Sequence, residues 1–305
     1  MYILCRPLHG FNDLLCQIVE CAWKAKATNR GLIIDMSCNA CCYPVDINKY
    51  FVAQAPEVHG LKELLFDLPA GYEDMTVFPT QLQGRLTSYT VERRAWVWVD
   101  KETGIPASLA TTPQDAYAKY DIIVHHTGTG GNHGIHALRT LLRPTPFTRD
   151  LIQHAIASLL DCQYIAFHVR NTDHETLNLN GAIAKAVHQA QQKQLPVLVC
   201  SDNFDTETEV CEKLRNSGVE TITLPRAEIY SMIRPGTPLH GPDAPLEIKE
   251  QVFQDTLIAL CAIGSTPNIL AAPCKNPDVK RVTISGFTRL AALLHKFGVR
   301  RWLEI

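Results

Sequence analysis

The chain has 305 residues, 46% of them hydrophobic and 20% charged, with a formal net charge of −2. One core seldom organises that length, so two domains of about 150 residues are expected. The sequence pI near 6.6 argues against a nucleic-acid partner, because neutralising phosphates takes a basic face.

Residues 1–6 read as a strand and residues 13–27 as a helix, with Leu15, Ile18, Ala22 and Ala25 at helical spacing. A second strand over 31–36 completes a β-α-β unit, which opens a parallel sheet. Residues 40–110 are irregular and contain one candidate strand, 94–99. A strand at 120–125 is followed by a glycine-rich turn and a helix over 135–142. Arg143-Pro144-Thr145-Pro146 ends that helix, since each proline fixes its own φ and disfavours helix in its predecessor. A domain boundary is expected there, giving units 1–145 and 146–305. The second unit alternates: helix 149–160, strand 165–169, helix 182–194, strand 196–200, helix 206–217, strand 220–224, helix 246–262 and strand 281–284. Such alternation implies a doubly wound α/β sheet in each half.

The opening MYILCRPLHGFND has neither a basic leader nor an apolar stretch of signal-peptide length. No run approaches the roughly 18–20 apolar residues of a membrane span. A cytoplasmic protein is expected, and its eleven cysteines read as reduced thiols. Cys38, Cys41 and Cys42 form the one tight cluster, and no fourth ligand at zinc spacing follows it.

Five segments carry candidate chemistry. Residues 164–174, YIAFHVRNTDH, form an apolar strand that turns polar, bringing His168, Arg170, Thr172 and Asp173 to its end. Ligands of open α/β sheets sit beyond the carboxyl ends of strands, and the fixed fork of an arginine suits a diphosphate. A surface ion pair of Arg170 with Asp173 is the alternative. Leu8-His9-Gly10-Phe11-Asn12-Asp13 lies between the first strand and first helix, where glycine admits close approach and helix amides attract anions. Asn12 or Asp13 serves equally well as a helix cap. Ala262-Ile263-Gly264-Ser265-Thr266-Pro267-Asn268 reads as a new helix start, with Thr266 as N-cap and Pro267 as first helical residue. Cys200-Ser201-Asp202-Asn203 puts a carboxylate past a strand end, suited to a ribose hydroxyl or a guanine edge, or to capping a turn. Finally, His125, His126, His133 and His136 stand among four glycines; no carboxylate is interleaved, which favours ligand contact or a plain turn over a metal.

HVRNTD resembles the H-x-R-R-T-D signature of the α1,6- and nodulation fucosyltransferases, and more loosely the H-L-R-x-x-D of the protein O-fucosyltransferases. The resemblance is thin along the chain, but its motifs keep the family's order. It implies a GT-B fold, two Rossmann-like domains facing across a cleft, with the acceptor side in 1–145 and the nucleotide-sugar side in 146–305. It implies inverting, metal-independent transfer of a sugar, fucose from GDP-fucose, to a hydroxyl of a glycan acceptor. No cofactor is implied beyond the donor substrate. By the same resemblance Arg170 binds the β-phosphate, with His168, Thr172 and Asp173 from the same motif. His9 stands where one class has its glutamate base, and Gly10, Phe11 and Asn12 line the donor. Ser265 and Thr266 match an S-x-S-F turn that closes on the β-phosphate, Asp202 matches a T-D-D nucleoside contact, and Asp255 an acidic residue near the nucleotide. Asn171 departs from the family's second arginine. That departure leaves two rivals: an inactive nucleotide-binding scaffold, and a transferase using another nucleotide sugar.

Overall fold

The computed structural model describes residues 1–37, 43–54, 60–94, 97–108, 112–126, 130–171, 175–225, 246–275 and 282–304. Two compact units divide the chain, Met1–Thr145 and Pro146–Ile305.

The first unit begins with strand β1 (Tyr2–Cys5), helix α1 (Phe11–Ala27) and strand β2 (Gly31–Ile34). There follow α2 (Ile47–Tyr50), β3 (Phe51–Ala53), β4 (Leu64–Leu65), β5 (Val77–Phe78), β6 (Val91–Arg94), β7 (Val97–Asp100), α3 (Ala116–Lys119), β8 (Ile122–His125) and β9 (Leu142–Pro144). Five strands form a sheet in the order β4-β2-β1-β8-β5, and every pairing in it is parallel. Parallel sheets are covered on both faces, so their strands are continuously apolar, as in YILC and GLII. Leu4, Ile33, Val77, Ile122 and Val124 pack on one face with Leu82, Leu86 and Tyr89. The alternate residues face α1, whose Leu14, Leu15, Ile18 and Ala25 are buried. Strand order reverses at β1: the chain runs outward through β2 and β4, while β8 returns on its other side.

The amino edge of this sheet is closed by Arg30. Its guanidinium is buried and donates to the carbonyls of Tyr2 at 3.2 Å and Asp121 at 3.1 Å, and to those of Tyr117 and Tyr120.

Two expectations change here. The helix expected over 135–142 is present over 135–141 but is π-type at Ala137–Leu141, and it ends where Leu142–Pro144 pairs antiparallel with β3. The strand expected over 94–99 spans parts of β6 and β7, which pair antiparallel with Arg94 opposite Val97.

The second unit contains α4 (Pro146–Leu160), β10 (Ile165–Val169), β11 (Glu175–Thr176), α5 (Leu179–Lys193), β12 (Val197–Ser201), α6 (Phe204–Asn216) and β13 (Thr221–Ile222). It continues with α7 (Leu246–Gly264), β14 (Ile269–Ala271), β15 (Cys274–Lys275), β16 (Val282–Thr283), α8 (Gly286–Phe297) and α9 (Val299–Glu304). The main sheet has the order β13-β12-β10-β14 and is parallel throughout. All five residues of β10 are buried; each large apolar side chain among them contributes about 1.5–3 kcal/mol of transfer free energy. On α5, Ile183, Ala186 and Ala190 recur at helical spacing and join Val197, Val199, Val210 and Leu214 in one core. Asn203 caps α6, its Oδ1 accepting from the Thr206 amide at 3.0 Å. Strand order reverses between β10 and β14, the place where such sheets open a ligand crevice.

Thr266 does not start a helix. Residues 269–271 are strand β14, which pairs with β10 through Ala166–Ile269 and His168–Ala271. Among the described residues, no helix is long and apolar enough to cross a membrane.

Candidate functional site

In the second unit the polar groups gather at the carboxyl ends of β10 and β12. Arg170 follows β10 directly and is half-buried. Its loop is held on two sides. The Asn171 amide donates to Asp202 Oδ1 at 2.8 Å, and Asn171 Nδ2 donates to Thr206 Oγ1 at 2.8 Å. The Arg170 carbonyl also accepts from Thr176 Oγ1 at 2.5 Å. Asp202 is thus a clamp on the arginine loop as well as a strand-end carboxylate. Thr172 and Asp173, like Cys38, Cys41 and Cys42, lie outside the described residues.

His168 is buried one strand position behind this loop. Its Nδ1 lies 2.8 Å from Thr288 Oγ1, and its ring stands 5.5 Å from that of Phe287. Burial lowers the imidazole to about 4, against the pull of Asp202 and with the push of Arg170. His168 is therefore neutral at neutral pH. Thr288 belongs to the first turn of α8, where Ser285 Oγ caps the helix by accepting from the Phe287 amide at 3.2 Å. Ser285-Gly286-Phe287-Thr288 thus brings a helix N-terminus to the carboxyl end of β10, beside His168. The sequence carries a signal for it, a serine directly after a strand and before an amphipathic helix, but Thr266-Pro267 offered a stronger one.

Ser265 and Thr266 sit at the opposite edge. Thr266 Oγ1 donates to the Tyr164 carbonyl at 2.7 Å, and Ser265 Oγ to the Cys261 carbonyl at 2.8 Å. Tyr164 precedes β10, whereas Arg170 follows it, so the length of that strand separates the two groups. Both hydroxyls are thus engaged away from Arg170: that of Thr266 holds the amino end of β10, and that of Ser265 closes the last turn of α7. Asp255 lies within α7, half-buried, and its Oδ1 accepts from Gln251 Nε2 at 2.9 Å.

In the first unit the reversal point at β1 and β8 carries the other candidates. His9 has a left-handed backbone, φ 76°, which side chains other than glycine seldom adopt. Two hydrogen bonds from buried Gln17 hold the preceding residue: Gln17 Oε1 accepts from the Leu8 amide at 3.1 Å, and Nε2 donates to the Leu8 carbonyl at 2.6 Å. The His9 ring meets Trp98 edge-on at 5.7 Å. Gly10 is the N-cap of α1 without a side-chain cap, and a Cβ there would meet nothing within 4 Å. Phe11 turns inward onto Tyr43, with ring centroids 6.2 Å apart. Asn12 is also buried and donates to the Gly131 carbonyl at 3.1 Å.

That bond explains the glycine-rich loop. A Cβ on Gly130 would stand 2.3 Å from Asp13 Oδ1, and one on Gly134 would stand 3.1 Å from the Asn12 carbonyl. These glycines let the loop lie against the first turn of α1. Of its histidines, His125 and His126 are buried, and burial lowers each to about 3. His126 Nε2 lies 2.5 Å from the Tyr89 hydroxyl, and the Tyr89 ring lies under the Arg6 guanidinium at 4.8 Å. Arg6 is buried and pairs with Asp35 at 2.6 Å. Burial disfavours both charges, but Tyr89 and Asp35 hold Arg6 above its ordinary range, while Arg6 and Ser37 hold Asp35 below its own. This Asp35-Arg6-Tyr89-His126 chain joins the ends of β2, β1 and β8, and no local spacing in the sequence announces it. His133 Nε2 approaches Glu20 Oε1 at 3.3 Å, and His136 is exposed. No group of three or more His, Cys, Asp or Glu able to hold a metal occurs among the described residues.

Two α/β units, each a parallel sheet with reversed strand order and polar residues past its strand ends, are an architecture shared with solved fucosyltransferases. Among solved structures the chain is similar to NodZ α-1,6-fucosyltransferase co-crystallised with GDP, at 16% identity and TM-score 0.55, over 96% of this chain and 92% of that one. NodZ from Bradyrhizobium gives 14% identity and TM-score 0.55 over 96% and 93% of the two chains. The apo form of POFUT1 gives 12% identity and TM-score 0.51 over 97% and 94%. No protein-family model matches the chain, and no curated protein matches it in sequence.

Proposed function

We propose that this chain is an inverting glycosyltransferase that moves fucose from GDP-fucose to a hydroxyl of a glycan acceptor. The observation that carries the reading is Arg170, set at the carboxyl end of the central strand where strand order reverses and braced there by Asn171 and Asp202. A guanidinium in that position matches a diphosphate in charge and geometry. Solved neighbours of the same fold were crystallised with GDP and soaked with GDP-fucose, which supports that donor.

In this reading the diphosphate contacts Arg170 and the first-turn amides of α8 at Ser285–Thr288, while Asp202 and Asp255 serve the nucleoside. Neutral His168 braces the α8 turn through Thr288. His9 takes the proton of the acceptor hydroxyl as its oxygen bonds to the anomeric carbon. The bond from that carbon to the diphosphate oxygen breaks, and the departing charge is met by Arg170 and the helix amides. Positive charge supplied this way leaves no step that needs a divalent ion. A cytoplasmic location is part of the same proposal.

Calorimetry with GDP, UDP, CDP and ADP, followed by a transfer assay with GDP-fucose, tests the reading. GDP selectivity with turnover supports it, and tighter binding of another nucleotide sinks the donor. Asn171 favours a second reading, a nucleotide-binding protein without turnover. Its side chain is bonded to Thr206 and brings no charge to the loop. Binding of GDP-fucose with no transfer to any glycan would favour that one.

A further inference from the structure

The first unit holds a pocket of about 390 Å³ lined by Asn48, Phe51, Val52, Phe66, Asp67 and Leu68, among others. The volume lies within the about 300–1,000 Å³ of small-molecule sites. Its lining is of two kinds. Phe66 and Leu68, both half-buried, give apolar walls, and Val52, 45% exposed, stands at the rim. Against them is one polar pair, with Asn48 Nδ2 donating to Asp67 Oδ2 at 3.1 Å. An oriented carboxylate beside an amide accepts and donates to vicinal hydroxyls, while aromatic and aliphatic walls cover the C–H faces of a ring. A neutral pyranose presents both surfaces. A phosphorylated ligand would meet Asp67 with like charge.

The position of the pocket narrows the choice. Phe66, Asp67 and Leu68 directly follow β4, and β4 lies beside β2, which lies beside β1. The pocket therefore opens on the same carboxyl edge as the loop that carries His9. Two strand spacings of about 4.8 Å separate the two strand ends, roughly 10 Å along the sheet. A short oligosaccharide spans that distance.

We infer that this pocket binds a neutral sugar ring of the acceptor, one or more units away from the ring whose hydroxyl meets His9. The inference rests on the transferase reading and names the substrate class of its acceptor side. Linear neutral trisaccharides of glucose, galactose, mannose and N-acetylglucosamine are the probes, followed by saturation-transfer NMR on the full chain. At least one should bind the wild type, Val52→Arg should abolish that binding, and Asp67→Ala should weaken it about two- to tenfold. Both positions are exposed, and a native thermal transition establishes that each variant is folded. If no trisaccharide binds at about 10 mM, or if wild type and both folded variants bind alike, the inference is overturned. GDP titrations of the same samples report on the donor reading separately, because Val52 and Asp67 are not among the donor-binding residues, and Arg170, Asp202 and Asp255 belong to the second unit.

Discussion

Thr288 Oγ1 and His168 Nδ1 lie 2.8 Å apart across 120 residues of sequence, tying the first turn of α8 to the central strand that ends in Arg170. The bond places a helix N-terminus beside the strand end that is followed by Arg170.

Arg170→Ala should leave the fold intact and weaken GDP binding about ten- to a hundredfold, because a charge-assisted contact is worth about 1.5–3 kcal/mol. Calorimetry checks this, and an unchanged affinity would remove the loop from the donor site.

The two serine-threonine pairs should separate cleanly. Thr266→Val removes the bond to the Tyr164 carbonyl and should lower stability by about 1–3 kcal/mol with GDP affinity unchanged. Thr288→Val together with Ser285→Ala should instead weaken GDP binding. The opposite pattern would return the phosphate contact to Ser265 and Thr266.

His9 sits at φ 76°, a backbone state that costs a residue other than glycine about 1–2 kcal/mol. His9→Gly should therefore gain up to about 1 kcal/mol in urea unfolding, after the greater freedom of glycine in the unfolded chain is offset. Turnover should fall about 10²- to 10⁴-fold with GDP affinity retained. A His9→Gly enzyme with normal turnover transfers the role of base to another residue.

Three buried histidines make stability depend on pH. His125 and His126 are lowered to about 3 and His168 to about 4, in each case chiefly by burial. A lowered imidazole stays neutral in the native state while the unfolded chain takes up protons below about 6.5, so stability is lost as pH falls. Between pH 7 and pH 5 each histidine should cost up to about 2 kcal/mol. Urea midpoints that stay level over that range would contradict the burial, and His125→Gln should flatten the slope by its own share.

Turnover should persist in EDTA. Loss on chelation with rescue by a divalent ion would bring the histidine-rich loop, or Cys38, Cys41 and Cys42, into the mechanism.

Much of this was legible because its causes are local. The apolar run of β10 turning polar at Arg170, and the β-α-β opening, follow from periodicity alone. Thr266 misled because threonine before proline has the chemistry of a helix cap, while its actual partner, the Tyr164 carbonyl, is 102 residues away. Gly130 and Gly134 left ligand contact and a plain turn both open; in the fold they also answer the close approach of α1. Nothing in the sequence singles out Gln17, because only the folded loop makes it the buried clamp on Leu8. Partners of this kind are set by tertiary contact, which no short window of sequence contains.

Arg30 gathers carbonyls from residue 2 and from residues 117–121 around one buried guanidinium. A fragment ending before residue 117 would retain that cation and lose most of its acceptors, a defect worth several kcal/mol. Its opening strand and its β8 region therefore complete one another, and a nascent chain holds an incomplete sheet until residue 121 is free to dock.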